Sequence, residues 1–383
     1  MQHKRQVAVI AGLMLITACS DGPRKVAGPP SCAAIPGVAA GPTAAVVPLG
    51  SPYDAAFDAA SREFGIPSGI LRAIGFVETR WQMVAGVPEF EGHPATSGVM
   101  ALGGIRLDEA ARLTGLAAGR VRDEPESNIR AAAALLRHHA TALGISGEDA
   151  AWTPAIAAFS GIALPEGREA YAREVSAVLA GRRSQPSVSA SAFAVDDPCA
   201  TPPPPPTTDH LGALWRTSPN FNQRMAGDGG RVQMVIIHSC EGSYIGCWSW
   251  LANRESQVSA HYVVREDGAE VTQLVREWAR AWHIGAIYDS TLNAASAGHL
   301  HGVQSNHFTI GVEHAGYASQ VAWPAAQLDA SARLVCGAAK RWGIPRNRVY
   351  IVAHGQLQPW NRTDPGPHWP WDDYLARIDQ HCA

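Results

Sequence analysis

Residues 349–367 constrain the fold of this 383-residue chain more than any other stretch. They begin with Val349-Tyr350-Ile351-Val352-Ala353, an apolar and largely β-branched run that predicts a short buried strand. His354 follows this strand, at the start of a loop rich in Gly, Pro and Asn, where functional residues commonly lie. Asp364 precedes a Pro-Gly turn, which fixes the direction of its carboxylate. The pattern therefore indicates a functional site at one edge of a sheet.

A metal site here needs a further ligand, and His238 is the candidate because it ends another apolar run, Met234-Val235-Ile236-Ile237. Two imidazoles and one carboxylate can hold a catalytic Zn²⁺ ion with one position left open for water. The alternative is that His238, His354 and Asp364 never meet, since the chain has 15 His and most His in proteins bind no metal. The spacing alone leaves both interpretations open.

Five segments in chain order resemble the motifs of the type-2 N-acetylmuramoyl-L-alanine amidases, a zinc family that includes phage lysozyme-amidases and peptidoglycan-recognition proteins. These segments are VIIHS, SAHYVV, AWHIG, IGVEHAG and AHGQLQPWNRTDPGP. The resemblance extends from about residue 211 to the C-terminus. It implies hydrolysis of the amide bond between N-acetylmuramic acid and L-alanine, with peptidoglycan or muropeptides as substrate.

The resemblance also implies residue roles. His238, His354 and Asp364 would bind zinc, and Glu313 would be the general acid/base. Arg362 occupies a position that often carries Lys, where a cation would stabilise the oxyanion. His261 and His283 would support the site rather than bind metal. Trp360, Trp369 and Trp371 are candidates either for the wall of the cleft or for the core.

Residues 51–181 show apolar spacing typical of helices. Ser51 is the expected cap of a first helix that runs through Phe64, and a second begins at Ser68 and carries Glu78 near its end. A carboxylate at the end of an apolar helix can lie in a dry cleft, where its pKa rises and it can act as a general acid. The alternative is a solvated glutamate at a helix end.

The segments GIPSGILRAIGFVETRW, SGVMALGGI, NIRAAAALL, AIAAFSG and YAREV resemble the lysozyme-like lytic transglycosylases. These cleave peptidoglycan glycan with a single Glu and no external water, and Glu78 occupies the catalytic position. Thr79 replaces the usual Ser and keeps a hydroxyl. Ala101 and Phe159 stand where Gln and Tyr are common, which removes two polar groups that orient substrate. A glycan-binding relic therefore remains the alternative to an active enzyme.

The N-terminus has the layout of an export signal, with basic His3-Lys4-Arg5 before an apolar stretch over residues 7–16. Leu15-Ile16-Thr17-Ala18-Cys19 resembles a bacterial lipobox, which implies cleavage before Cys19 and its acylation. Ser20 then favours the outer membrane, with the protein facing the periplasm. The alternative is an ordinary signal peptide with a chance cysteine.

Six further cysteines remain, and an even number in an exported protein predicts disulfides. Cys240 and Cys247 flank a loop and form the first expected pair. Two less certain pairs are Cys336–Cys382 and Cys32–Cys199. The alternative, buried free thiols, is less common in an oxidising compartment.

The sequence thus predicts a signal peptide (1–18), a tether (19–48), an all-α lysozyme-like domain (49–182), a Pro/Ser-rich linker (183–209) and an α/β zinc amidase domain with a mixed central sheet (210–383). A net charge of −3 offers no basic surface for nucleic acid. The expected function is that of a lipid-anchored peptidoglycan hydrolase. The alternative is a lipoprotein in which one or both domains only recognise the cell wall.

Overall fold

The computed structural model describes residues 50–90, 92–147, 151–181 and 208–383, which all belong to one structural unit, Ala44–Ala383. The predicted signal peptide, Cys19, the tether and nearly all of the Pro/Ser-rich linker lie outside the described residues, as do Cys32 and Cys199. Among the residues that the structure describes, none of the helices combines the length and the apolarity needed to cross a bilayer.

The first region, residues 50–181, is built mainly from helices whose apolar residues recur every three or four positions and pack inward. Its helices are α1 Asp54–Phe64, α2 Ser68–Thr79, α3 Gly104–Thr114, α4 Ala118–Asp123, α5 Pro125–Ala142, α6 Thr153–Phe159 and α7 Pro165–Leu179. Helix α1 begins after the position that we expected, because the Ser51 hydroxyl accepts a hydrogen bond from the Tyr53 amide and forms a turn before the helix (3.1 Å).

A small antiparallel sheet lies between α2 and α3, and the sequence pattern did not predict it. It consists of β1 Val84–Ala85, β2 Thr96–Gly98 and β3 Leu102–Gly103. The connection from β1 to β2 carries Pro88-Glu89-Phe90 away from the helices and against the second region. This part of the chain is therefore not purely helical, and the departure places a loop where it can reach another surface.

The second region, residues 208–383, contains a six-stranded mixed sheet, as predicted. Its strands follow the order β11-β6-β10-β7-β8-β4. The strands of the region are β4 Leu214–Trp215, β5 Phe221–Gln223, β6 Met234–Ser239, β7 Tyr262–Val264, β8 Val271–Gln273, β9 Ala279–Ala281, β10 Thr309–His314 and β11 Ile351–Ala353. Four helices accompany them: α8 Tyr244–Ala252, α9 Ala325–Trp342, α10 His354–Leu357 and α11 Trp371–Cys382. Strands β5 and β9 form a separate two-stranded pair.

Strands β11, β6 and β10 are parallel, so their carboxyl ends meet at the same edge of the sheet. Both faces of these strands are buried, which explains their continuous apolar sequence. The register sets Glu313 directly opposite His238. Ala353 lies opposite Ile237, and His354 begins α10 immediately beyond β11. The sheet thus places the side chains of His238, Glu313 and His354 at the same edge.

Two disulfides join elements of the second region. Cys336 on α9 is bonded to Cys382 on α11, a helix that we had not predicted, and Cys240 after β6 is bonded to Cys247 on α8. The first bond connects two helices that pack side by side. It therefore holds the C-terminal helix on the domain.

Replacing Cys336 and Cys382 together by serine should lower the free energy of unfolding by about 2–4 kcal/mol, because the bond closes a 46-residue separation and restricts the unfolded chain. Urea unfolding followed by tryptophan fluorescence measures this loss. The matched control replaces Cys240 and Cys247, which are only 7 residues apart, and should have a smaller effect. A larger loss for the shorter loop would show that native packing dominates over chain entropy.

Candidate metal centre

The carboxyl edge of the sheet brings His238, His354 and Asp364 together in a fully buried cluster. The Nδ1 atoms of the two histidines lie 3.0 Å apart. Asp364 Oδ2 lies 3.2 Å from His238 Nδ1, and Asp364 Oδ1 lies 3.2 Å from His354 Nδ1. The three residues singled out in the sequence therefore present their donor atoms to a single point.

A chain of hydrogen bonds sets the tautomer of His238. The Thr309 hydroxyl donates to the Ser305 carbonyl, so it accepts from His283 Nε2. His283 Nδ1 then has only a lone pair, and it accepts from His238 Nε2 (3.0 Å). This leaves His238 Nδ1 without a proton, as a metal ligand requires. Gly311 permits the arrangement, because a Cβ there would lie 2.5 Å from the His283 ring.

His354 is oriented in the same way by the side chain of Gln358. The Gln358 Oε1 atom accepts from the Gly285 amide and lies 3.3 Å from His354 Nε2, which is therefore the protonated nitrogen. His354 Nδ1 is left with its lone pair pointing at His238 Nδ1. Two lone pairs at this distance repel each other unless a positive charge lies between them.

The donor set fits a zinc ion. Ligand atoms at 2.0–2.1 Å from zinc in a tetrahedral arrangement are about 3.3 Å from one another, close to the separations seen here. Asp364 Oδ1 and both carboxylate oxygens of Glu313 are buried and make no hydrogen bond. Unpartnered buried carboxylate oxygens beside two imidazole lone pairs are what a divalent cation would satisfy.

The electrostatics of the cluster favour a positive charge at the same point. Burial alone would lower the pKa of His354, but the carboxylates of Asp364 and Glu89 outweigh it and raise that pKa to about 10. Burial would also raise the pKa of Asp364, yet the adjacent histidines hold it below its usual range. The pocket thus stabilises either a proton or a metal ion between these groups.

Glu313 lies at the edge of this cluster, with Oε1 3.8 Å from His238 Nδ1. Burial raises its pKa to about 8; the charge on His238 opposes the shift, and the carboxylates of Glu89 and Asp364 add to it. A carboxyl group with a raised pKa beside a metal site can accept and return a proton near neutral pH. Glu313 is therefore placed for general acid–base chemistry.

His261 is buried behind the cluster and outside the group of metal-ligating atoms. Its Nδ1 accepts the Gly311 amide hydrogen, and its Nε2 lies beside Arg224 and the Ala279 carbonyl. Burial keeps the pKa of His261 well below its ordinary value, so it stays neutral. It packs the strands behind the site, as expected of a supporting residue.

A cavity of about 540 Å³ opens onto the cluster, and Arg362 lies in its wall. Arg362 Nε makes no hydrogen bond and lies 3.7 Å from Glu89 Oε2. Of the tryptophans considered above, none lines this cavity: Trp360 is exposed, and Trp369 is buried in the core. The cavity wall instead contains Phe90 and Trp282, two aromatic residues that sequence reasoning did not select.

Glu89 is the site residue that sequence reasoning missed. It comes from the loop between β1 and β2 of the first region, and its Oε1 lies 3.0 Å from His354 Nδ1 and 3.6 Å from His238 Nδ1. With His238, His354 and Asp364 it forms a group of four potential metal ligands. No motif marks Glu89, because its position depends on how the two regions pack.

A second cavity, of about 280 Å³, contains Glu78. Burial raises the pKa of Glu78, although Arg106 opposes the shift, and Glu78 Oε1 accepts a hydrogen bond from the Tyr171 hydroxyl (2.7 Å). Tyr171 lies in the YAREV segment but had not been assigned a role. The Arg106 guanidinium lies over the Phe159 ring, 4.8 Å from the centre of that ring.

The hydroxyl of Thr79, the residue after Glu78, donates a hydrogen bond to the Val99 carbonyl (2.7 Å). This bond holds the turn that contains Val99 against α2. Residues from the second region, including Ser243, Trp250 and Tyr317, form the opposite wall. The Glu78 cavity is therefore covered by the second region of the same chain.

Comparisons with known proteins agree on the second region. Residues 228–367 match the family model Amidase_2, N-acetylmuramoyl-L-alanine amidase. N-acetylmuramoyl-L-alanine amidase A of Achromobacter lyticus is 35% identical over 185 residues, which cover 44% of this chain and 93% of the relative. AmiD of Escherichia coli K12 and AmpD of Citrobacter freundii are each 30% identical, and the matches cover 37% and 32% of this chain. They span 51% and 58% of those relatives' own lengths.

The matched region contains the two strand-end histidines, the turn aspartate and the glutamate that the sheet brings to one edge. Nearly the whole length of the A. lyticus relative aligns with this part of the chain. By its sequence and by the arrangement of its second region, the chain belongs to the N-acetylmuramoyl-L-alanine amidase family.

Proposed function

We propose that the protein is a zinc-dependent hydrolase that cleaves the amide bond between N-acetylmuramic acid and L-alanine in peptidoglycan or muropeptides. The observation that supports this most is the convergence of two imidazole lone pairs and a buried carboxylate beside the unpartnered Glu313. A zinc ion held by these residues would polarise the amide carbonyl and make water a better nucleophile.

The chain's own residues supply the remaining functions. Glu313 accepts the proton of the attacking water and returns it to the nitrogen of the departing amine. The Arg362 side chain faces the negative charge that develops on the carbonyl oxygen. His283 and Gln358 hold the two ligand imidazoles in the required tautomer. Each role follows from a side chain already in place at the edge of the sheet.

A purely binding function is the alternative for this region, since some peptidoglycan-recognition proteins keep the fold but lack a zinc ligand. Here His238, His354 and Asp364 are all present and converge, and Glu313 is buried beside them. A binding module has no need for a proton acceptor with a raised pKa at this place. These features favour an enzyme. The lipobox at Cys19 supports a place in the cell envelope, anchored to the outer membrane and facing the periplasm.

A lytic transglycosylase is a second candidate function, for the first region. It is favoured by Glu78, a buried carboxyl with a raised pKa that lies in a cavity and is held by Tyr171. Such a group can remain protonated and act as a general acid on a glycosidic oxygen. The apolar character of Ala101 and Phe159 supports slow activity, because two substrate-orienting polar groups are missing.

Replacing Glu313 by glutamine should reduce amidase turnover by roughly 10²–10⁴-fold, the usual contribution of general acid–base catalysis. The zinc content should stay at the level of the parent protein, because the ligands are unchanged. Mass spectrometry of products from muropeptides and elemental analysis of the protein measure the two effects. Loss of zinc from this variant would instead show that Glu313 is a ligand.

His283→Asn and His283→Leu form a matched pair that tests how His238 is oriented. The asparagine amide oxygen can take the place of His283 Nδ1 and accept from His238 Nε2, whereas leucine cannot. We expect zinc affinity, measured by competition with a chromogenic chelator, to fall about 10–100-fold in His283→Leu and much less in His283→Asn. Equal losses in the two variants would mean that the hydrogen bond does not support the ligand.

Glu78→Gln, placed in a Glu313→Gln background to silence the amidase, should abolish release of 1,6-anhydro-muropeptides from sacculi, because the glycosidic oxygen loses its acid. The half-buried Glu109, which lies outside the Glu78 cavity, is replaced by glutamine in the same background as the control. If the Glu313→Gln parent releases none of these products from intact or denuded glycan, the first region has no transglycosylase activity and only a binding role is left for it.

A further inference from the structure

The loop between β1 and β2 inserts Glu89 from the first region into the metal centre of the second. The Glu89 side chain is 1% exposed. Its Oε1 atom converges with the two histidine Nδ1 atoms and lies 3.0 Å from His354 Nδ1 and 3.6 Å from His238 Nδ1. Its Oε2 makes no hydrogen bond and faces Arg362. Arg362 lies too far away to donate a hydrogen bond to this carboxylate, so its burial stays costly unless a further cation neutralises it.

The loop is held in place on both sides of Glu89. The Val87 amide donates to Glu241 Oε2 (3.1 Å), and the same carboxyl group accepts from the Ala318 amide (2.7 Å). On the other side, the His93 ring packs edge-on against Trp250 of α8, with ring centres 4.8 Å apart. These contacts join backbone and side chains of one region to the other. These contacts before and after Glu89 hold it at the metal centre.

The number of protein ligands decides what a zinc site can do. Three protein ligands leave a position for solvent or substrate, whereas four protein ligands close the sphere and make the site structural. Two imidazoles, Asp364 and Glu89 supply four donors, all within 4.8 Å of one another. Pro88, Glu89 and Phe90 also form part of the wall of the cavity that leads to the metal centre. A zinc ion held by all four residues would have no open position for a substrate carbonyl.

We propose that Glu89 is a fourth protein ligand of the metal ion, and that it must leave before the amidase can turn over. The inference rests on the zinc-dependent function proposed above and concerns the regulation of that same site. The first region then acts as an inhibitor on the same chain. Displacing the loop by a few ångströms opens the metal centre and removes the Glu89 carboxylate from Arg362.

The test uses the full chain in its Co²⁺ and Zn²⁺ forms, with Glu89→Gln, the one-methylene-shorter Glu89→Asp, and Glu166→Gln as a control at an exposed position on α7. Acetohydroxamate, titrated into the Co²⁺ protein and followed by visible absorption, reports an open metal position without any need for turnover. We expect it to bind both Glu89 variants about tenfold or more tightly than the parent, and Glu166→Gln like the parent.

Zinc affinity and amidase rate should move in opposite directions. Loss of a ligand should weaken zinc binding in Glu89→Gln by about tenfold or more, while the rate of muropeptide cleavage at saturating zinc rises by about tenfold or more. Circular dichroism checks the fold, and Glu89→Asp carries the test if the glutamine variant is misfolded.

Three results would overturn the proposal. Equal acetohydroxamate binding by parent and Glu89 variants would show that Glu89 does not occupy the metal, while the proposed zinc function stands. Tighter binding together with a lost amidase rate would show that Glu89 serves the reaction rather than blocks it. Failure of the parent to bind either metal would refute the proposed function and this inference with it.

Discussion

The second region depends on one electrostatic constraint: the Nδ1 atoms of two buried imidazoles face each other at 3.0 Å. Such an arrangement is stable only with a positive charge between the nitrogens, and the surrounding carboxylates supply the compensating negative charge. The hydrogen bonds that run from Thr309 through His283 to His238, and from Gln358 to His354, keep a proton on Nε2 of each of the two site histidines. A cation bound between the two Nδ1 atoms would account for these hydrogen bonds and for the buried carboxylates around them.

The contact between the two regions combines a buried apolar cluster, to which both regions contribute, with charged and polar groups. Arg265 pairs with Glu174 at 2.6 Å, Arg80 lies 3.3 Å from Glu266, and Glu241 receives the Val87 amide. Moving the two regions relative to each other would therefore require breaking both the apolar and the polar contacts. Both cavities are walled by residues of both regions, so any such motion changes access to Glu78 and to the metal centre together.

Sequence patterns predicted the elements whose apolar periodicity is unbroken. The strands that lead to His238 and His354 are apolar, largely β-branched runs, and α9 has a clear helical stripe that ends at Gly343. The sequence pattern did not predict helix α11, although Trp371, Tyr374 and Ile378 recur at helical spacing. Several prolines precede this helix and obscure where it begins. The ligand triad could be proposed because its residues end predicted strands or open a turn. Glu89 could not, since its role arises from contacts between residues far apart in sequence, which a local pattern does not encode.

The pairing of β6 with β10 has a consequence for how such a chain can vary. Glu313 and His238 are neighbours only because the two parallel strands share one register, and successive side chains on a strand point to opposite faces. Inserting or deleting one residue within either strand would turn its functional side chain to the other face and bring an apolar neighbour such as Val312 or Ile237 in its place. Changes of length are therefore tolerable in the irregular segment between β9 and β10, where the backbone runs through turns, but not in these strands. Descendants of this sequence can exchange one buried apolar residue for another along β6 and β10, apart from His238, Gly311 and Glu313, yet the number of residues in each strand is inherited unchanged.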